Sequence, residues 1–471
     1  MQPGVSVRPT RGLRPLDAIA IIVGVVVGVG IFRAPSMVAS GVESELGFIG
    51  LWALGGTLSL VGALCYCELV AAFPSAGGEY HFLHRAFGPN VSFLFAWARL
   101  TVIGTGSIAL LAFVFGDYVS TLVPLGEHGS AIYAGAIVVA LVGVNVAGLR
   151  FGSKVQTIVT TLLVLGVLVM AGAALLIGPA APPPPPTTAA TSTIGFAMVF
   201  VLLTYGGWNE AAYLSAEVRG GPRSSVLTLL AGVAAITAVY LLANLAYVHV
   251  LGLDGIRASQ TVGTDTIAAL TGSGAAHLVS ALVATAALTS MNATLLTVSR
   301  TGYALGRDVH LLRWLGGWND RAAAPVPALL AIGTLALALI GLGAAARRGF
   351  ATMVEFTAPV FWAFFLLTGL AVFALRRQEP TVPRPFRVPL YPLTPLVFCA
   401  TCGWLLHASL AYTRLGAIVG VVVLLLGVVP LWLARRSAPA SAPDPATQTD
   451  TDTDTDPPGD RAIERAKGVT P

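Results

Sequence analysis

Apolar residues in this chain come in long runs, not in the short alternations of a half-buried strand or the one-sided stripe of a surface helix. A helix needs about 20 apolar residues to cross a bilayer. By that length twelve runs qualify, near 16–40, 46–73, 91–122, 131–149, 154–178, 194–216, 224–251, 275–303, 325–345, 350–376, 391–412 and 415–434. Polar stretches separate them. Five consecutive prolines, Pro182 to Pro186, fall between the fifth and sixth runs, where an extended polyproline segment is expected. A longer loop is expected over 253–274. Beyond Arg436 the pattern gives way to Asp/Thr repeats and prolines, which cannot build a core and read as a disordered tail.

Two of the runs carry glycines near their middles: Gly28-Val29-Gly30-Ile31-Phe32-Arg33-Ala34-Pro35 in the first and Thr204-Tyr205-Gly206-Gly207-Trp208-Asn209 in the sixth. In hydrocarbon every freed backbone N–H or C=O costs several kcal/mol, so an interruption at that depth implies bare backbone facing a polar solute. Paired interruptions in corresponding halves of a membrane protein point to a transporter's binding site. Runs one to five and six to ten then form two five-helix units. Five is odd, so the second unit starts from the other side and the repeats are inverted, with runs eleven and twelve outside the pair.

At the first interruption the second half-helix is expected to begin near Phe32, with Pro35 in its first turn. Its free N–H groups, at Gly30, Ile31 and Phe32, carry the positive end of a helix dipole and suit a carboxylate. The free carbonyls of the first half, near Val25 to Val27, suit an ammonium. One broken helix so offers the two poles a zwitterionic amino acid needs, and Gly206-Gly207 can add carbonyls for the amine. The other reading is that Gly24, Gly28 and Gly30 form a close-packing helix face. A dinucleotide-binding loop does not fit, because Arg occupies position 33 and no strand precedes the glycines.

Composition supports a membrane protein. The 471 residues are 55% hydrophobic and 10% charged, against about 25% charged in soluble domains. Placing the amino terminus in the cytoplasm and alternating twelve spans puts 21 of the 27 Lys and Arg on the inner side. Only Arg257, Arg347, Arg348 and Arg414 fall outside, and Arg33 and Arg99 lie within spans. The expected division is an N-terminus (1–14), a first repeat (15–178), a Pro-rich outer loop (179–193), a second repeat (194–376), a loop with helices eleven and twelve (377–436) and a cytoplasmic tail (437–471). Cys65, Cys67, Cys399 and Cys402 all sit in apolar runs and read as small packing residues, not as a zinc or redox site.

Intramembrane charges are functional candidates. Arg33 and Glu355 are expected towards the outer vestibule as a gating pair, the alternative being that Arg33 pairs permanently with Asp117, Glu43 or Glu45. Glu210, three residues past the second glycine pair, is either a protonatable coupling group or a buried partner of Arg99. Glu68, Glu79, His81, His84, Glu217, Arg219 and Arg223 are expected to form an inner charge network. No phosphate-binding loop, HExxH motif, nucleophile elbow or carboxylate dyad is present, which excludes ATP-driven transport and argues against an enzyme. No cofactor, metal or nucleic acid is implied.

Several segments together resemble the amino acid–polyamine–organocation permeases. GVGIFRAP is similar to their first-span signature, and WALGGTLSLVGALCYCELVAAFPSAGGEYHFLHRAFGP (52–89) to their second span and the loop after it. TYGGWNEAAYLSAEVRGGPRS (204–224), SRTGYALGRDVHLLRWL (299–315) and LRRQEPTVPRPFRVPLYPLTPLVF (375–398) follow in the family's order. The resemblance runs from about 14 to 434 and is closest to the L-type amino acid transporter branch and its bacterial relatives. It implies an all-α, leucine-transporter-like fold of twelve helices in a 5+5 inverted repeat with broken first and sixth helices. It implies secondary transport of amino acids. Neutral ones come first, because no acidic or basic side chain except Glu210 lines the expected pocket, and cationic amino acids or polyamines, with Glu210 as counter-charge, are the alternative. A channel or a non-transporting sensor is the rival of another class.

Carried over by position, the resemblance puts the substrate carboxylate on the backbone of Gly28, Val29 and Gly30 and the amine on carbonyls near Val26, Leu203 and Gly206. Leu203 stands where many relatives have an aromatic lid, and Tyr205 or Trp208 could replace it or simply pack. Leu163 stands where many relatives have a lysine, which removes a lysine proton carrier. Thr289 and Ser290 are then candidates for a cation site. The animal L-type relatives bind a partner subunit through a disulfide. The corresponding outer loop here (123–130) lacks cysteine, so no such partner is expected.

Overall fold

The computed structural model describes residues 14–75, 77–148, 153–177, 192–209, 221–320, 322–412 and 415–436. Among them the chain is all-helical. Ten helices are long and apolar enough to span a membrane, and two shorter apolar helices, Pro15–Gly24 and Ile194–Thr204, belong to the runs with central glycines.

The first run is α1 (Pro15–Val26), a 3₁₀ turn (Val29–Phe32) and α2 (Ala34–Ala39). α3 (Glu45–Ala72) begins at Ser44, whose hydroxyl accepts the Gly47 N–H at 3.1 Å. Such a cap satisfies one of the N–H groups a helix start leaves free. A short α4 (Glu79–Phe87) leads into α5 (Pro89–Leu122), which contains a π-helical turn at Arg99–Ile103. Then come α6 (Gly129–Val146), α7 (Ser153–Ile177) and α8 (Ile194–Thr204), the last capped by the Thr193 hydroxyl on the Phe196 N–H. The second half of the chain holds α9 (Gly221–Ala258), α10 (Val262–Thr271), α11 (Ser273–Asp308), α12 (Val326–Ala345), α13 (Gly349–Gln378), α14 (Leu393–Tyr412), α15 (Leu415–Leu426) and α16 (Val428–Arg436).

Two expectations change. Residues 253–274 are not an open loop: the chain bends at Gly252 (φ 63°), continues helically to Ala258, and forms α10. The first run also resumes differently, with a 3₁₀ turn from Val29 and regular α-helix only from Ala34, not from near Phe32. The Pro182–Pro186 run and the tail from 437 lie outside the described residues.

Short connections make successive long helices antiparallel. The ends at 72–89, 308–326 and 378–393 therefore share the side on which α1 starts, the amino-terminal side, and those at 39–45, 122–129 and 345–349 share the opposite side. α3 packs on α9, α5 on α11 and α6 on α12. Missing side chains permit the close crossings. A Cβ on Gly55 would meet Val201 Cγ1 at 2.3 Å, and one on Gly62 would meet Trp208 and Phe398 at 2.7 Å. The cysteines are buried and unpaired, as their apolar runs suggest.

Candidate functional site

α1 ends at Val26, Val27 and Gly28 are extended, and the 3₁₀ turn starts at Val29. α8 ends at Thr204, and Tyr205, Gly206 and Gly207 lead to a resumed helical turn at Trp208 and Asn209. Gly207 sits at φ 106°, a conformation that side chains disfavour. Gly30 is small for another reason: a Cβ there would come within 3.2 Å of Thr204 Cγ2, so the two interruptions touch. At Gly28 a Cβ would meet only the Val26 carbonyl, at 3.8 Å, leaving space over its backbone.

One side chain joins both interruptions. The Tyr240 hydroxyl, from the middle of α9, lies 2.9 Å from the Val26 carbonyl and 3.1 Å from the Thr204 carbonyl. Its proton is thereby shared between the ends of two half-helices. Tyr240 is fully buried, and its ring packs edge-on to Tyr205 (5.0 Å) and Trp52 (5.9 Å). The Tyr205 hydroxyl donates to the Trp52 carbonyl, and the Tyr118 hydroxyl donates to Phe32 O at 2.9 Å, tying the 3₁₀ turn to α5. Sequence reasoning missed Tyr240. The available signal was a hydroxyl at mid-depth in the seventh run.

The other predicted contacts are placed as follows. The Leu203 carbonyl, at the end of α8, accepts from Gly206 N–H at 3.1 Å. Val29 and Ile31 are buried, and Leu203 is partly exposed. Tyr205 and Trp208 are sealed into aromatic packing, Trp208 against Tyr66, Phe365 and Phe398, so here both pack. The Thr289 hydroxyl donates to Ala286 O of its own helix, and the Ser290 carbonyl accepts from Thr294. Leu163 is a core residue. Among the described residues no group of three or more His, Cys, Asp or Glu could hold a metal.

A cavity lies to either side of the interruptions. On the opposite side one of about 480 Å³ reaches Arg33 and Met37. There Arg33 bonds Asp117 (3.2 Å) and Ser36 (2.9 Å) and lies over the Phe350 ring, while the Ser130 hydroxyl donates to Asp117 at 2.5 Å. Asp117 is thus the carboxylate that Arg33 reaches. Glu355, buried in α13, lies against the approach of Gly416. On the amino-terminal side a cavity of about 420 Å³ reaches Asn209 and is lined by Glu79, Arg99, Thr294, Phe361 and Phe365. Glu79 accepts from the Tyr66 hydroxyl at 2.5 Å and from Asn209 at 3.4 Å. Arg99 opens the π-turn of α5, a distortion frequent at functional sites. Glu210, Glu217 and Arg219 lie outside the described residues, as does the side chain of Arg223.

Near the amino-terminal side the charges bond across the bundle. The Glu68 carboxylate accepts from Arg376 (2.7 and 2.6 Å) and from Val388 N–H (2.7 Å), with Arg384 at 3.6 Å. Arg85 donates twice to Glu379, at 2.5 and 2.6 Å, and His84 meets Ser92. The Arg85 hydrogen bonds hold the Glu379 carboxyl below its ordinary value. Stability from this pair is therefore present above the free carboxyl's pKa and is lost as pH falls through the depressed one. The pair is part-exposed, so Glu379→Gln is expected to cost only about 0.2–1 kcal/mol at pH 7. The difference in melting temperature between wild type and variant should shrink towards zero on acidification. A difference that holds down to the lowest pH would contradict this account. Burial, with Arg85 and His84 close by, lowers the pKa of His81 and favours its neutral form.

Comparison with known proteins adds three findings. The amino acid permease family model matches residues 13–412. The b(0,+)-type amino acid transporter 1 of Homo sapiens is 31% identical over 80% of this chain and 78% of its own length. The large neutral amino acids transporter small subunit 2 of Rattus norvegicus is 29% identical over 90% of this chain and 80% of its own.

Proposed function

Because the chain belongs to the amino acid permease family and is a multi-pass amino acid transporter, not an enzyme, we propose that it carries neutral L-amino acids by alternating access on a site made by the two helix interruptions. The observation that carries this reading is the Tyr240 hydroxyl within bonding distance of both Val26 O and Thr204 O. In it the substrate carboxylate docks on the amides at Gly28, Val29 and Gly30, and the ammonium on the carbonyls of Val26, Leu203 and Gly206. No covalent chemistry is needed. A gradient of substrate, counter-substrate or ion does the work.

The architecture we assign is twelve spans with five-plus-five inverted repeats. The pairing of α3 with α9, α5 with α11 and α6 with α12 supports it, since the two-fold relation exchanges the members of each pair. We assign the amino-terminal side, and both termini, to the cytoplasm and the protein to an inner membrane; the excess of basic residues on that side supports the orientation. Spans one, two, six and seven rock against the rest. Arg33–Asp117 ties span one to span three on the outer side, and Glu68–Arg376 ties span two to span ten on the inner side. Arg33 exchanges Asp117 for Glu355 when substrate closes the outer side. Arg99, with Glu210, belongs to the inner route. No disulfide-linked partner is assigned, because the loop at 123–130 has no cysteine.

Initial uptake of labelled leucine into liposomes, competed separately with leucine, arginine and putrescine, with and without sodium, tests this reading. Strong competition by leucine and weak competition by the two cations is expected. Preferential competition by arginine or putrescine would replace the neutral assignment with the cationic one, and flux without counterflow would indicate a channel.

A further inference from the structure

Basic residues are disfavoured on the outer side of a membrane protein, so those that occur there call for a local reason. The assigned orientation leaves four outside: Arg257, Arg347, Arg348 and Arg414. Three of these, Arg257 and the adjacent Arg347 and Arg348, line one cavity of about 480 Å³ that leads down to Arg33. Arg33 itself makes a fourth guanidinium on the wall, against two lining carboxylates, Asp117 and Glu127.

The four arginines are not equivalent. Arg33 is taken by Asp117, and Arg257 is taken by Asp254 and the carbonyls of Ala39 and Val42, where it ties α9 to the end of α2. Arg347 and Arg348 are exposed and have no ion-pair partner among the described residues. Arg347 is also held at φ 53° in the tight connection from α12 to α13. A non-glycine residue kept in that region carries backbone strain, a feature that clusters at ligand clamps.

We infer that this cavity is a carboxylate-docking subsite on the entry route, in which Arg347 and Arg348 take the α-carboxylate of an arriving amino acid and the excess positive charge turns away amino acids with cationic side chains. The inference rests on the transport reading and deepens it by placing part of the selectivity ahead of the helix interruptions. A cleft lined by one sign of charge raises the local concentration of the opposite charge and lowers that of its own. Guanidinium forks match carboxylate oxygens two at a time, which gives the subsite its chemical class.

The test compares kcat/KM for leucine and for arginine in proteoliposomes containing wild type, R347Q/R348Q or R347E/R348E. The leucine-to-arginine ratio should fall by about threefold to tenfold in the Gln pair and further in the Glu pair, within the range of field-focusing effects. The fall should come from a higher KM for leucine together with a gain in arginine flux. A gain cannot come from misfolding. Raising the ionic strength should erode the wild-type ratio and leave that of the Gln pair nearly flat, because exposed charges are screened. An unchanged ratio in both variants, or the same salt dependence in wild type and the Gln pair, would overturn the subsite while leaving leucine transport in place. Absence of all amino acid flux in wild type would instead overturn the transport reading, and this inference with it.

Discussion

Glu68→Gln is expected to destabilise the protein by about 3 kcal/mol, the scale of breaking one partner out of a buried ion pair. The Glu68 side chain is 3% exposed, and the Arg376 and Arg384 side chains facing it are 19% and 7% exposed. The carboxylate accepts four contacts at once, two from Arg376, one from Arg384 and one from the Val388 N–H. A glutamine amide keeps the shape but turns one acceptor into a donor, which then faces a guanidinium. Arg376 keeps its stacking on Tyr391 (3.8 Å) and Arg384 its bonds to backbone carbonyls, so the segment stays near its place but loses its anchor. Since this anchor joins α3 to the end of α13 and to the segment after it, the surviving folded protein should also spend more time open to the amino-terminal side. A lower melting temperature together with faster labelling of a cysteine introduced in the 420 Å³ cavity is the expected result. Wild-type melting with unaltered labelling would show that the clasp neither stabilises nor gates.

Tyr240→Phe should have the second largest effect. The substitution removes one oxygen and leaves the ring contacts with Tyr205 and Trp52 intact. What it strips away is the only hydroxyl bonded to both Val26 O and Thr204 O among the described residues. A buried polar group left without its partner costs about 1–3 kcal/mol. The Val26 carbonyl belongs to the proposed seat of the ammonium and Thr204 adjoins Leu203 in it, and a site whose supporting shell is loosened loses affinity even when every direct contact remains. Leucine KM should therefore rise by about tenfold, alongside a lower melting temperature. A variant that melts earlier but binds leucine as tightly as wild type would reduce Tyr240 to a packing residue.

These two residues also mark how far the sequence could be read. The interruptions were legible because glycine pairs in the middle of an apolar run have few other uses in hydrocarbon, and both helices do break there. Arg33 was legible as a charge needing a carboxylate, with Asp117 among the candidates but not singled out, because 84 residues separate the two. Glu68 was legible as an inner-side charge, but its partners were not: Arg376 is 308 residues away, and it is α13 packing beside α3 and α14 that brings them together. Tyr240 was illegible for a plainer reason. A tyrosine in a long apolar run looks like any packing aromatic until the crossing of α9 over two helix ends gives its hydroxyl something to bond. The 3₁₀ start at Val29 and the helical α10 were missed because helix boundaries depend on tertiary contacts, which periodicity does not encode.

The central claim is that a zwitterion is held by main-chain groups at two adjoining helix interruptions, and an experimental density map of the protein with leucine bound tests it most directly. Ligand density is expected between the Gly28–Gly30 amides and the Val26, Leu203 and Gly206 carbonyls, next to Tyr240. Leucine seated instead in the cavity beside Arg99 and Thr294, with 26–31 and 203–208 as undisturbed as without it, would contradict the account.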